Sequence, residues 1–144
     1  MPKKKGESAF EVTPGVTLSR TLIPVLPPNY ISRKSLFPLL ENGPGSTTVV
    51  IGPAGYGKTS LVAEWVLSRQ EKVIWLTLTE RDSLADMSAL FLQATRNVIP
   101  GFGTWFDSKP GMRPVEIVRR WGNDLLATGE NYIFVIDNLR ENTS

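Results

Sequence analysis

The sequence predicts an α/β domain of about three strands in a parallel sheet with helices on both faces. Three observations carry that prediction. The run Gly52-Pro53-Ala54-Gly55-Tyr56-Gly57-Lys58-Thr59 lies between a β-branched segment and an apolar helical pattern. Two further strand-like runs, residues 72–78 and 132–136, are separated by segments with helical periodicity. Strand alternating with helix is the signature of parallel pairing. A length of 144 residues suits one domain or part of a larger one.

Residues 1–20 are polar, start with Lys3, Lys4 and Lys5 and contain Pro14, so they read as a disordered basic tail. Residues 21–45 form a second unit, an extended proline-rich stretch followed by a short helix. Pro24, Pro27 and Pro28 favour extended backbone, and Leu36, Phe37, Leu39 and Leu40 supply the helix's apolar positions. Asn42-Gly43-Pro44-Gly45 is a turn. Residues 46–144 then read as the α/β domain. Thr47, Thr48, Val49, Val50 and Ile51 predict the first strand. A helix follows from Lys58 to about Arg69, with Leu61 and Trp65 paired at helical spacing. The second strand spans 72–78. Asp82 or Ser83 caps the next helix, whose Leu84, Met87, Leu90, Phe91, Ala94 and Val98 share one face as far as Pro100-Gly101. A loop covers 101–111. Pro114 opens a third helix, with Val118, Trp121 and Leu125 inward, and Gly129 ends it. The third strand, 132–136, closes with Asp137.

Gly52 to Thr59 fits G-x-x-x-x-G-K-[ST], and strand, glycine loop and helix are the context in which that pattern cradles phosphate. Glycines open backbone angles closed to other residues, so loop N–H groups converge on phosphate oxygens at a helix N-terminus. Gly52, Pro53, Ala54, Gly55, Tyr56, Gly57, Lys58, Thr59 and Ser60 are therefore the nucleotide-binding candidates. Lys58 reaches toward the β/γ-phosphates, and Thr59 offers its hydroxyl to Mg²⁺. Five apolar residues ending in Asp137 resemble a Walker B strand, which makes Asp137 the second Mg²⁺ candidate. Lys58 and Asp137 are the catalytic candidates. The expected ligands are ATP or ADP with Mg²⁺. Asn138 follows where many such ATPases carry a second acid, and an amide cannot take a proton from water. Hydrolysis is thus expected to be slow or absent, and an acid at 138 is expected to raise it. Glu80, after the second strand, is another carboxylate at the same end of the sheet.

Composition limits the alternatives. There is no cysteine and no histidine, which excludes disulfides, thiolate metal sites and imidazole chemistry. The net charge of +2 owes much to the tip lysines and does not argue for nucleic-acid binding. No signal peptide or membrane-spanning run is legible, so a cytoplasmic location with no membrane partner is expected.

Several segments taken together resemble a known group. They are Leu26-Pro27-Pro28-Asn29-Tyr30-Ile31-Ser32-Arg33-Lys34-Ser35-Leu36, Pro53 through Leu61, Glu64-Trp65 and Val73-Ile74-Trp75-Leu76-Thr77-Leu78. In this order they resemble the opening of large ATP-binding LuxR-type regulators similar to the maltose-regulon activator, within the STAND class of P-loop signal-transduction ATPases. The resemblance implies a P-loop NTPase-type sheet, with Ile31 and Arg33 lining the base pocket. It implies that Asn138, like Thr79, departs from a common acid, touching activity more than fold. It also implies that the chain is a front portion, because such regulators continue into a winged helix, a sensor array and a DNA-binding helix-turn-helix. No DNA-binding element is read in this chain. In that class a later strand lies between the P-loop strand and the Walker B strand. A gap, direct pairing or a partner is therefore expected there, including self-association through the sheet edge. The function expected is a nucleotide-dependent switch. A small nucleoside or nucleotide kinase and a non-functional truncated fragment are the alternatives.

Overall fold

The computed structural model describes residues 12–139. The lysines of the predicted tail lie outside the described residues. The chain is mixed α/β, with five α-helices and a two-stranded parallel sheet among the described residues. The helices are α1 (Phe37–Leu40), α2 (Lys58–Leu67), α3 (Leu84–Arg96), α4 (Thr104–Ser108) and α5 (Pro114–Ala127). The strands are β1 (Lys72–Thr77) and β2 (Tyr132–Asp137), paired in register from Lys72 opposite Tyr132 to Thr77 opposite Asp137.

Both faces of the sheet are covered, which explains the uninterrupted apolar character of β1. Val73, Trp75, Ile133 and Val135 face α2 and pack with Ala63 and Val66. Ile74, Leu76 and Ile136 face the other way, against Leu90 and Ala94 of α3 and Leu125 of α5. Phe91 stacks on Phe134 at 5.2 Å between ring centroids, and Trp121 completes the cluster 5.4 Å from Phe134. A smaller cluster of Leu92, Phe102, Trp105 and Ile117 holds α4 under α3 and α5.

Local signals set the helix ends. Ser83 caps α3 by accepting from the Asp86 N–H at 3.1 Å, and Asp86 accepts from the Ser83 N–H at 2.8 Å. Pro114 opens α5, and Glu116 accepts from the Arg113 N–H at 3.2 Å. Helix α3 stops at Arg96, short of Pro100. Val118 turns partly to solvent on α5, and Ile117 takes the buried position instead.

Two expectations are corrected. The predicted strand over 47–51 does not form. That segment is irregular, Val49 is 74% exposed and Ile51 88%, and no sheet partner pairs with it among the described residues. A β-branched run becomes a strand only with a neighbour to pair and pack against. Two strands are therefore present instead of about three. The outer edge of β2 has no paired strand among the described residues, and Phe134 remains 37% exposed there.

The predicted tail is also docked over residues 12–20. Thr13 is buried, and both its N–H (2.6 Å) and its hydroxyl (2.9 Å) donate to Gln93 Oε1. Arg20 Nε donates to the Thr77 carbonyl at 3.1 Å, and Arg20 also pairs with Asp82. A 3₁₀ turn, Leu18–Thr21, lies against β1 and α3.

Candidate functional site

The glycine loop leads straight into α2. Gly57 occupies the N-cap in the left-handed region (φ 72°), and its carbonyl accepts from the Leu61 N–H at 3.0 Å. Gly55 is left-handed as well, at φ 84°. Pro53, Ala54, Gly55 and Tyr56 are exposed, and Gly52, Gly57, Lys58, Thr59 and Ser60 are half-buried. The loop thus presents its backbone outward at a helix start, where unpaired N–H groups and the helix dipole favour an anion.

Lys58 folds back over this loop. Its ammonium donates to the Gly52 carbonyl and, at 3.2 Å, to that of Pro53. Thr59, one residue on, faces the end of β2. Its hydroxyl lies 3.0 Å from Asp137 Oδ1 and 3.1 Å from Oδ2, a shared donation to one carboxylate across 78 residues of chain. Packing of α2 on the Ile133 and Val135 face of β2 brings the two together.

The donor set suits Mg²⁺, a hard cation held in many sites by one or two carboxylates together with phosphate oxygens. Thr59 and Asp137 offer a hydroxyl and a carboxylate side by side. Among the described residues no group of three or more acidic side chains could hold a metal alone. A metal at Thr59 and Asp137 would need ligands beyond these two side chains.

Arg33 and Ile31 separate. Arg33 meets the loop, with Nη1 donating to the Tyr56 carbonyl at 3.1 Å and Nη2 to the Gly57 carbonyl at 2.5 Å. Ile31 is 82% exposed and takes no part in that contact. Glu80 is exposed beyond β1. Asn138 adopts a left-handed conformation (φ 62°), and its Nδ2 donates to the Leu78 carbonyl at 2.9 Å. Its amide thus ties the end of β2 to the end of β1, a structural task beyond the activity-related one read from sequence.

Glu64 was not among the sequence-derived site residues. It is buried on α2, where Oε1 accepts from the Ser32 hydroxyl at 2.5 Å and Oε2 from the Arg33 N–H at 3.4 Å. The Ser32 hydroxyl, foremost, holds its carboxyl below the ordinary glutamate value. An acid between Ala63 and the apolar Trp65 and Val66 was the legible signal, because a buried carboxylate requires partners.

A cavity of about 310 Å³ lies at α4 and the start of α5, lined by residues including Ala85, Phe106, Met112 and Ile117. No glycine-loop residue lines it. No helix among the described residues is long and apolar enough to cross a membrane. Compared with known proteins, the chain matches no family model, no curated protein and no solved structure.

Proposed function

We propose that the chain is a nucleotide-binding module of P-loop NTPase type, taking ATP or ADP with Mg²⁺. The observation that carries this reading is Thr59 donating to Asp137 beside the glycine loop. Loop and carboxylate come from distant parts of the chain, yet they meet where a P-loop and a Walker B acid would share a metal. Backbone N–H groups of residues 52–59 bind and orient the phosphates. Lys58 exchanges the Gly52 and Pro53 carbonyls for phosphate oxygens, which are stronger acceptors because they carry charge. Thr59 and Asp137 would hold Mg²⁺, whose charge neutralises the phosphates. No residue at Asn138 can accept a proton from an attacking water, so the module retains its nucleotide longer than an efficient ATPase would.

The role in this reading is a switch, the front portion of a regulator resembling the STAND class. The kinase alternative gains no support from the paired arginines. Arg119 and Arg120 are exposed on α5, and Arg120 lies over the Trp105 ring at 4.8 Å. Helix α5 packs on the sheet face opposite α2.

Calorimetric titration of Mg·ATP tests the proposal. The wild type binds, and Lys58→Ala weakens binding by roughly tenfold to hundredfold or more, the cost of losing a charged hydrogen-bond donor. Equal affinity in the two proteins would overturn the P-loop reading. Transfer of phosphate to a small nucleoside acceptor would favour the kinase.

A further inference from the structure

The guanidinium of Arg33 bridges two successive carbonyls of the glycine loop, those of Tyr56 and Gly57. No described peptide bond is cis. In a trans peptide the C=O and the following N–H point in opposite directions. A Tyr56 carbonyl drawn toward Arg33 therefore aims the Gly57 N–H away from it. The Gly57 carbonyl, held by Arg33 and by the Leu61 N–H at 3.0 Å together, does likewise for the Lys58 N–H. Those two amides begin the helix, where an anion would be bound.

Arg33 is itself fixed. Its backbone N–H and the Ser32 hydroxyl both donate to Glu64, which is buried on the helix that the loop opens. Loop, arginine, glutamate and helix thus form a closed ring of contacts. The approach is close from the loop's side as well. A Cβ placed on Gly57 would lie 2.8 Å from Arg33 Nη2, so the guanidinium occupies the space that a side chain would need.

We infer that Arg33 is a positioning residue of the phosphate cradle. It sets the direction of the Gly57 amide and, together with the Leu61 N–H, that of the Lys58 amide from behind the loop, and Glu64 seats it. The inference rests on the P-loop reading and deepens it. It gives Arg33 a role independent of the nucleotide base, so the contribution is the same for any ligand that carries the polyphosphate.

The test uses the full chain and two ligands, Mg·ATP and inorganic tripolyphosphate with Mg²⁺, titrated into wild type, Arg33→Ala, Arg33→Lys and Lys58→Ala. Arg33→Ala is expected to weaken both ligands by the same factor, roughly tenfold to hundredfold. Arg33→Lys recovers part of the loss, because a point charge reaches one carbonyl and cannot span two. Amide resonances of Gly57 and Lys58 in the ligand-free protein shift in both Arg33 variants, which reads the cradle directly even where binding is weak. Loss of ATP affinity with tripolyphosphate affinity intact would overturn the inference by placing Arg33 at the base. Wild-type affinity for both ligands in Arg33→Ala, with binding lost in Lys58→Ala, would overturn the inference alone. Absence of tripolyphosphate binding in the wild type would overturn it together with the P-loop reading.

Discussion

Asn138 shows how one residue combines fold and chemistry. Its left-handed backbone suits Asn, whose short polar side chain tolerates that region, and its amide donates to the Leu78 carbonyl at 2.9 Å. Aspartate accepts and does not donate when ionised, so it would face that carbonyl as an anion. Asn138→Asp is therefore predicted to lower stability by about 1 kcal/mol at neutral pH, read from a denaturant midpoint. An unchanged midpoint would return Asn138 to a purely activity-related role. The pattern of glycines, Lys58, Thr59 and the strand-end Asp137 was fully legible in the sequence, because each is defined by local spacing. The contact of Arg33 with the loop was not. It depends on two hydrogen bonds to carbonyls 23 and 24 residues away, and carbonyls carry no sequence signature.

Elements were legible where periodicity and caps agreed. Helix α3 begins at Ser83, one of the two caps that the sequence offers, and Leu90 lies in the core it predicts. Leu90→Ala removes a fully buried side chain between Ile74, Leu76 and Ala94 and is predicted to cost about 2–5 kcal/mol. Leu84, which the sequence assigns to the same face, is 70% exposed at the first turn instead, and Leu84→Ala is predicted to change stability by about 0.5 kcal/mol or less. Similar losses in both variants would contradict the assigned face. Helix α4 was missed because five residues are too short to display a period. The docking of residues 12–20 was missed because it depends on Thr13 meeting Gln93 and Arg20 meeting Asp82, long-range polar contacts that composition does not encode. The strand over 47–51 failed for the opposite reason. Its β-branched run satisfies the local rule, and the pairing neighbour it needs is not among the described residues.

At the scale of the molecule, a buried, doubly covered sheet ends on one side in an edge of β2 that no strand among the described residues pairs, and the glycine-loop segment stands apart from that sheet. The candidate site lies across this division, and the Thr59–Asp137 contact and the packing of α2 on the sheet join its halves. Carboxylates set the acid limit. Burial pushes Asp82 up, but donation from Arg20 and the Thr79 N–H outweighs it and leaves the group below its ordinary value. The Ser83 N–H and hydroxyl lower Asp86, and Ser32 foremost lowers Glu64. Each folded value lies below its unfolded counterpart, so the unfolded chain binds more protons in acid. The stability these groups contribute is complete above their ordinary values of 3.8 for the aspartates and 4.5 for Glu64, and it is lost as pH falls through the depressed ones. A thermal midpoint that stays flat from about pH 6 to about pH 3 would contradict those partners.

The central claim, that residues 52–59 and Asp137 form one nucleotide site, is tested most directly by thermal unfolding of the purified chain with and without Mg·ATP and Mg·ADP. A ligand that binds only the folded state raises the midpoint by mass action. The account predicts a rise that grows with nucleotide concentration and disappears in Lys58→Ala. A cooperative transition whose midpoint ignores both nucleotides, or a rise that survives Lys58→Ala, would contradict it.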